Sequence, residues 1–161
     1  MTPEQIAESV KARAGAAVLA VDLAPRNPSI KLAASAWRDV AKHLRDDVGL
    51  NYLVCLTGVD RGAELEAIYT LEHLGTAPED GARWGISVRI SVPRADPSIP
   101  SVEDLWRTAD WHERETWDLL GIRFEGHRNL VRILCAEDWE GHPLRKDYKA
   151  PATYHGIKNV V

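Results

Sequence analysis

The sequence predicts an α+β fold in which helices pack on one face of a mainly antiparallel, mixed sheet, followed by an extended C-terminal arm. Two segments, 65–72 and 84–92, alternate apolar and polar residues with the period of a half-buried strand. Three other segments, near 3–14, 33–47 and 101–120, carry apolar residues at helical spacing. In chain order, the predicted elements are helix, strand, helix, then three strands and a helix.

The first two helices have recognisable boundaries. Thr2 is a suitable N-cap, Pro3 occupies the first helical position and Gln5 occupies the capping-box position. Gly15 ends this helix, and the apolar run at 17–23 predicts a strand. The second helix has one apolar face, formed by Trp37, Val40, Ala41, Leu44 and Val48.

The middle of the chain predicts three strands and then the third helix. An apolar strand at 52–57 precedes the two alternating segments, which the loop at 75–82 joins into an antiparallel hairpin. Residues 93–100 contain three prolines and predict a loop, while 101–104 (SVED) resembles a capping box and Gly121 a C-cap. We expect the apolar residues of the last strand to face the helices; these are Ile86, Val88, Ile90 and Val92.

Glu113 is a carboxylate on the apolar face of the third helix. We expect it to be buried and paired, because an unpaired buried carboxylate is strongly destabilising. The predicted partner is a backbone donor or an arginine, with Arg114, Arg123 and Arg132 as candidates. Arg114 and Asp118 are also spaced to form an i,i+4 ion pair.

Composition bounds the class of protein. The 161 residues, 45% hydrophobic and 27% charged, fit one domain with a tail. A net charge of −4 does not favour nucleic-acid binding, and no apolar stretch is long enough to span a membrane. The N-terminus has no secretory signal pattern. Cys55 and Cys135 lack CxxC spacing, which predicts a reduced cytosolic protein.

The motifs of metal, nucleotide and nucleophile sites are missing from the sequence. HERET at 112–116 lacks the second histidine of a zincin motif, and His127 and His142 have no Cys or His at ligand spacing. Glycine-rich phosphate loops and the GxSxG motif do not occur. We therefore predict no cofactor, metal or catalytic residue in this chain. One alternative stays open: Glu113 as the acid–base group of a free-standing small-molecule enzyme.

The segment 111–148 is rich in tryptophan, histidine and arginine, the residue types that are common in protein interfaces. We divide the chain into an α+β domain at 1–125 and an extended docking arm at 126–161. The alternative is an arm that clamps its own domain.

Four motifs in this segment resemble one protein family. They are ERETWDLLGIRFEGH (113–127), RIL (132–134), EDW (137–139) and GHPLRKDY (141–148), and the chain is similar in their order and spacing to the thirty-kilodalton subunit family of respiratory complex I. In bacteria the member of this family is the C subunit of NADH:quinone oxidoreductase. Two positions depart from the family pattern: Arg128 stands where proline is common, and Val131 where a basic residue is common.

The resemblance implies a cofactor-free scaffold subunit in the hydrophilic arm of a proton-translocating complex. Its implied partners are the large quinone-site subunit, of the forty-nine-kilodalton type, and neighbouring iron–sulfur subunits. Other subunits would carry NADH, FMN, iron–sulfur clusters and quinone. The implied location is peripheral, at the cytoplasmic face of the cell membrane, with membrane contact only through the complex. Ferredoxin-, deazaflavin- and hydrogenase-linked complexes use the same subunit type, so a scaffold role there is the alternative.

The family motifs also supply the predicted partner interface. Its members are Glu113, Arg114, Glu115, Asp118, Gly121, Gly126, His127, Arg132, Trp139, Gly141, His142, Pro143, Leu144, Arg145, Lys146, Asp147 and Tyr148.

The arm from residue 141 is predicted to extend away from the sheet. Pro143 limits its backbone freedom, which lowers the entropy lost on docking. In the assembly we expect Arg145 to meet a carboxylate of the large quinone-site subunit.

Overall fold

The computed structural model describes residues 1–24, 26–75 and 84–159. Within these ranges the chain forms three α-helices: α1 (Pro3–Ala14), α2 (Ala34–Asp46) and α3 (Ala109–Leu120). The longer strands are β1 (Val18–Asp22), β2 (Ser29–Leu32), β3 (Tyr52–Asp60), β4 (Glu64–Glu72) and β5 (Gly85–Pro93). The short strands are β6 (Ser98–Pro100), β7 (Arg123–Glu125), β8 (Thr153–Tyr154) and β9 (Ile157–Lys158).

The main sheet is mixed and has the strand order β1-β2-β5-β4-β3. Its neighbours pair antiparallel except β2 and β5, which run parallel. The parallel pair requires a crossover, and the α2–β3–β4 segment provides it. The α+β class predicted from the sequence is confirmed.

The helices lie on one face of this sheet. Gly58 of β3 is opposite Ala67 of β4, which is opposite Ile90 of β5, so the three residues share a face. On that face the Trp37 ring of α2 lies 4.4 Å from the Tyr69 ring. A Cβ at Gly58 would come within 2.3 Å of the Leu120 side chain, so α3 packs directly on the glycine backbone.

Most of the predicted elements are confirmed, with boundaries within a few residues. The Thr2 hydroxyl accepts from the Gln5 amide, and the Gln5 side chain accepts from the Thr2 amide, which completes the capping box. The predicted inward face of β5 is buried, with side chains that are at most 4% exposed: Ile86, Val88, Ile90 and Val92. The predicted loop at 75–82 lies outside the described residues from 76 onward.

Five short strands were not predicted: β2, β6, β7, β8 and β9. Ser29–Leu32 (β2) follows a proline-containing break, and its four residues are too few for a periodic signal. Ser98–Pro100 (β6), in the segment predicted as a loop, pairs in parallel with Arg123–Glu125 (β7). The pairings of β2 with β5 and of β6 with β7 join residues that are distant in sequence, so no local pattern marks them.

The predicted start of the third helix at residue 101 is wrong, because α3 begins at Ala109. Residues 101–108 form turns, in which the Trp106 amide donates to the Val102 carbonyl at 3.1 Å. The Ser101 hydroxyl and the Val102 amide donate to Glu113. The SVED segment therefore does not cap a helix. It holds the buried carboxylate of Glu113, which lies further along the chain.

Among the described residues, none of the helices combines the length and the apolar composition that crossing a bilayer requires.

Replacing Ile90 by alanine should lower the free energy of unfolding by about 2–5 kcal/mol, because the side chain is fully buried between the sheet and the helices. Leu19, which is 59% exposed on the edge strand β1, is the matched control, and Leu19→Ala should change stability by about 0.5 kcal/mol or less. Denaturant unfolding of both variants measures the difference. Equal losses would contradict the assigned sheet face.

Candidate functional site

Helix α3 carries two fully buried carboxylates, Glu113 and Asp118. They are five residues apart, so they project from the helix in different directions. Glu113 points toward the Ser101–Val102 turn, and Asp118 points toward the segment after β7. Most of the residues in the predicted partner interface lie around these two groups.

Glu113 is held by donors from the turn before α3. One carboxylate oxygen accepts from the Ser101 hydroxyl at 2.5 Å, and the other accepts from the Val102 amide at 2.9 Å. Burial raises the pKa of Glu113 to about 7, although these two hydrogen bonds oppose the shift. The nearby Glu103 carboxylate raises this pKa further, whereas Arg38 lowers it.

The prediction of a buried Glu113 with a backbone donor is confirmed, but the three arginines proposed as partners are wrong. Arg114 donates through Nε to the Val131 carbonyl, Arg123 pairs with Asp96, and Arg132 pairs with Asp118. The predicted i,i+4 pair between Arg114 and Asp118 is wrong for the same reason. The side chain that contacts Glu113 is instead the buried Ser101 hydroxyl, and a search for spaced charges in the sequence cannot find such a neutral partner.

Asp118 fastens the following segment to α3. Its Oδ1 accepts from Arg132 Nη1 at 2.6 Å. Its Oδ2 accepts from the amides of Ile133, Leu134 and Cys135 at 3.0, 2.8 and 2.9 Å. Burial alone would raise the pKa of Asp118, but the backbone amides and the guanidinium outweigh it and lower the pKa to about 2.

Arg132 carries this connection to the next motifs. Its Nη2 donates to the carbonyls of Trp139 and Gly141, at 2.8 and 2.9 Å. Its guanidinium also lies 5.6 Å from the centre of the Trp117 ring. One arginine thus links the RIL, EDW and GHPLRKDY motifs to α3.

The GHPLR part of the last motif covers the C-terminal end of α3. His142 Nδ1 lies 3.0 Å from the Asp118 carbonyl, the Leu144 amide donates to the Leu119 carbonyl at 2.9 Å, and Arg145 Nε donates to the Leu120 carbonyl at 2.6 Å. Donors at this position satisfy the free carbonyls of the last helical turn. Burial lowers the pKa of His142, which favours the neutral ring.

Gly121, the C-cap of α3, has to be glycine for two reasons. Its φ is +73°, in the left-handed region that side chains disfavour. A Cβ there would also come within 2.5–2.6 Å of the His142 and Arg145 side chains.

The motif then reaches the end of β3. The Lys146 amide donates to Asp60 Oδ2 at 2.8 Å, and Asp147 pairs with Arg94 at 2.8 Å. Arg94 also forms an ion pair with Asp60. The amides of Lys146 and Gly62, followed by Arg94, hold the pKa of Asp60 well below its usual range.

The prediction that the arm from residue 141 extends away from the sheet is therefore wrong for residues 141–148. The segment lies against α3 and the end of β3, and Arg145 binds a carbonyl of its own chain. These contacts, with those of Arg132, cross the boundary that we predicted at residue 125. Sequence reasoning missed Asp60 and Arg94 because their role depends on contacts with residues far along the chain, Lys146 and Asp147.

His127 belongs to a separate polar group at the other end of α3. Its buried imidazole has Nε2 at 3.2 Å from the Asp110 carbonyl and 3.8 Å from Glu103 Oε2, while Nδ1 accepts from the Asn129 amide at 3.1 Å. Glu103, Asp110 and His127 each place one potential metal-ligand atom within 4.8 Å of the others. A neutral ring that accepts at Nδ1 carries its proton on Nε2, so the geometry fits a hydrogen-bonding role better than a metal site.

The remaining interface residues lie at the surface or beside it. Glu115, Gly126 and Leu144 are exposed, Pro143 is half-buried, and the half-buried Tyr148 packs on Gly141. Further along, Asp138 accepts from Tyr154 and pairs with His155 in the β8–β9 hairpin.

Comparison with known proteins identifies relatives for most of the chain. Residues 30–154 match the family of the respiratory-chain NADH dehydrogenase 30 Kd subunit. The C subunits of NADH-quinone oxidoreductase from Chloroherpeton thalassium and Chlorobium phaeobacteroides are 43% and 47% identical over 153 and 152 residues. Each alignment covers 92% of this chain, with 62% of the first relative and 90% of the second.

Two solved structures resemble the fold. The trypsin-resistant fragment of Nqo5 is 32% identical, with a TM-score of 0.67, and the match covers 81% of this chain and 100% of the fragment. A chain of the sulfane sulfur reductase, an archaeal respiratory membrane complex, has a TM-score of 0.73 at 21% identity, over 91% of this chain and 85% of that one. The second likeness concerns the fold alone.

The raised pKa of Glu113 predicts a pH-dependent stability. Its folded pKa of about 7 exceeds the ordinary value of 4.5, so the protonated form stabilises the fold fully below pH 4.5, and this contribution is lost as pH rises through 7. The shift corresponds to a difference on the order of 3 kcal/mol. Glu113→Gln should remove this part of the pH dependence while the other ionisable groups stay. Urea unfolding of both proteins between pH 4 and 8 measures it, and parallel pH curves would contradict the assignment.

Asp118→Ala should lower the free energy of unfolding by about 3–5 kcal/mol, because it leaves Arg132 and three backbone amides without their acceptor. Hydrogen exchange should show that the amides of 133–135 lose protection. Because its pKa is lowered from 3.8, the wild-type contribution should persist above that pH and be lost as pH falls through about 2. Glu115→Ala, at an exposed position of the same helix, is the control. Unchanged protection of 133–135 would show that Asp118 does not hold this segment.

Proposed function

The chain belongs to the respiratory-chain NADH dehydrogenase 30 Kd subunit family, and from this we propose that it is a cofactor-free scaffold subunit of a proton-translocating NADH:quinone oxidoreductase. Its role is to brace other subunits of the hydrophilic arm. Because the chain spans 62% of the length of one of its relatives, the activity and partners of the whole protein belong to this proposal.

The observation that carries the proposal is that buried residues of the family motifs bind groups of their own chain. Glu113, Asp118 and Arg132 are buried or nearly so, and their polar atoms bind groups of their own chain. An active site would present such groups to a substrate. Here Asp118 and Arg132 hold a long C-terminal segment on α3, and Glu113 holds the turn that precedes this helix, as a rigid subunit that supports its neighbours requires.

The proposed partners are the large quinone-site subunit, of the forty-nine-kilodalton type, and the neighbouring iron–sulfur subunits. NADH, FMN, the iron–sulfur clusters and quinone would be bound by other subunits. The proposed location is the cytoplasmic face of the cell membrane, where the chain is held through its complex. Similar proteins are named as one subunit of NADH-quinone oxidoreductase, which supports the assignment to a multi-subunit enzyme.

A second candidate is a scaffold role in a related membrane complex that uses another electron donor. The fold likeness to a chain of the sulfane sulfur reductase favours this candidate. A free-standing enzyme that uses Glu113 is not favoured. The side chain is fully buried, and both of its oxygens already accept hydrogen bonds from the same chain.

Affinity purification of the tagged full chain from native membranes should recover iron–sulfur subunits and the large quinone-site subunit, identified by mass spectrometry. The recovered assembly should reduce quinone with NADH as donor. Reduction by ferredoxin, a reduced deazaflavin or hydrogen, but not by NADH, would assign the chain to a related complex. Recovery of the tagged chain without redox subunits would overturn the scaffold proposal.

A further inference from the structure

One face of α3 carries an exposed apolar group that the family motifs do not explain. All six tryptophans lie in the described part of the chain, and Trp111 is the one whose side chain is exposed, at 61%. Tryptophan is highly buried on average, and exposed apolar residues that occur as a group mark interaction sites more often than single ones do. Val131 and Leu134 are also exposed, at 46% and 62%.

These residues lie along one side of α3. Arg114 is one helical turn after Trp111, and its guanidinium lies 4.9 Å from the centre of the Trp111 ring. Arg114 Nε donates to the Val131 carbonyl at 3.2 Å, which places Val131 beside the same helix face. Asp118 lies a further turn along this face and holds the Leu134 amide at 2.8 Å. Trp111, Arg114, Val131 and Leu134 together are the Trp111 surface.

The Trp111 surface is held in place before any partner arrives. The helix fixes Trp111 and Arg114, and the hydrogen bonds of Asp118 to residues 133–135 fix the loop that carries Leu134. Ordering of side chains and loops is a main cost of association, and here much of that order already exists. Tryptophan and arginine are also the residue types that dominate binding energy at interfaces.

Charge indicates the chemistry of the partner. Within the described part of the chain, Arg114 has no acidic partner, and its Nη groups make no hydrogen bond. A guanidinium in the middle of an apolar surface would lose its hydration on docking, so the partner has to supply an acceptor. A carboxylate at the edge of an apolar hollow satisfies both requirements.

We propose that the Trp111 surface is a docking site for a neighbouring subunit of the assembly, which presents an apolar hollow bordered by an acidic side chain. This inference rests on the proposed function, since it assumes that the chain works within a multi-subunit complex. Arg114 belongs to the predicted partner interface, whereas Trp111, Val131 and Leu134 do not, and the sequence prediction gave the main docking contact to the arm from residue 141. Two of the four residues of this surface, Val131 and Leu134, are presented by the loop that Asp118 organises.

The test uses tagged full-length variants, each expressed beside the untagged wild-type chain so that the native complex forms in every strain. Complex subunits recovered per tagged chain are quantified by mass spectrometry. Trp111→Ser and Arg114→Glu should each lower recovery tenfold or more, as expected when a central interface residue is removed. Leu19→Ser is the matched control: it is 59% exposed on β1, at the opposite edge of the sheet from β3 and α3, and its recovery should stay within twofold of the wild type.

Thermal unfolding of each purified variant separates docking from folding. Because Trp111 is exposed, Trp111→Ser should shift the unfolding temperature by no more than about 3 °C. Wild-type recovery by both Trp111→Ser and Arg114→Glu would overturn the docking site while leaving the scaffold role intact. A tagged wild-type chain that recovers no other subunit would instead overturn the proposed function. A chain dimer that Trp111→Ser abolishes, with complex recovery unchanged, would assign the surface to a second copy and contradict the proposal.

Discussion

The carboxylate of Asp118 is the constraint on which the C-terminal third of this protein depends. It is fully buried at the end of α3 and accepts from Arg132 and from successive backbone amides of the segment that follows β7. Several donors around a buried carboxylate stabilise its ionised form, and the carboxylate in turn fixes the position of each donor. Residues 132–135 are therefore held in place against α3, which fixes where the later motifs begin.

Glu113 and Asp118 show that burial alone does not decide the protonation of a carboxylate. Both are fully buried on the same helix, yet the pKa of Glu113 is raised to about 7 and that of Asp118 is lowered to about 2. Glu113 has a serine hydroxyl and one backbone amide as donors, whereas Asp118 has a guanidinium and three backbone amides. The number and charge of the donors decide which form the fold prefers.

The two departures from the family pattern have structural consequences in this chain. Arg128 donates its backbone amide and its Nε to the Glu103 carboxylate, at 3.0 and 3.1 Å, and proline lacks the amide hydrogen for the first of these bonds. The Val131 carbonyl accepts from Arg114, and the Val131 side chain is exposed. Both positions thus help to shape the surface along α3.

The sequence by itself determined the features that depend on local periodicity and local hydrogen bonds. Alternation placed Ile90 in the core, the TPEQ start placed α1, and burial of Glu113 followed from its helix face. Only the tertiary structure decided the partners of Glu113 and Asp118, the parallel pairing of β2 with β5 and the path of residues 141–148. Those features join groups that are distant along the chain. A spacing pattern reports which face of an element a residue occupies, but the distant group that meets it depends on how whole elements pack.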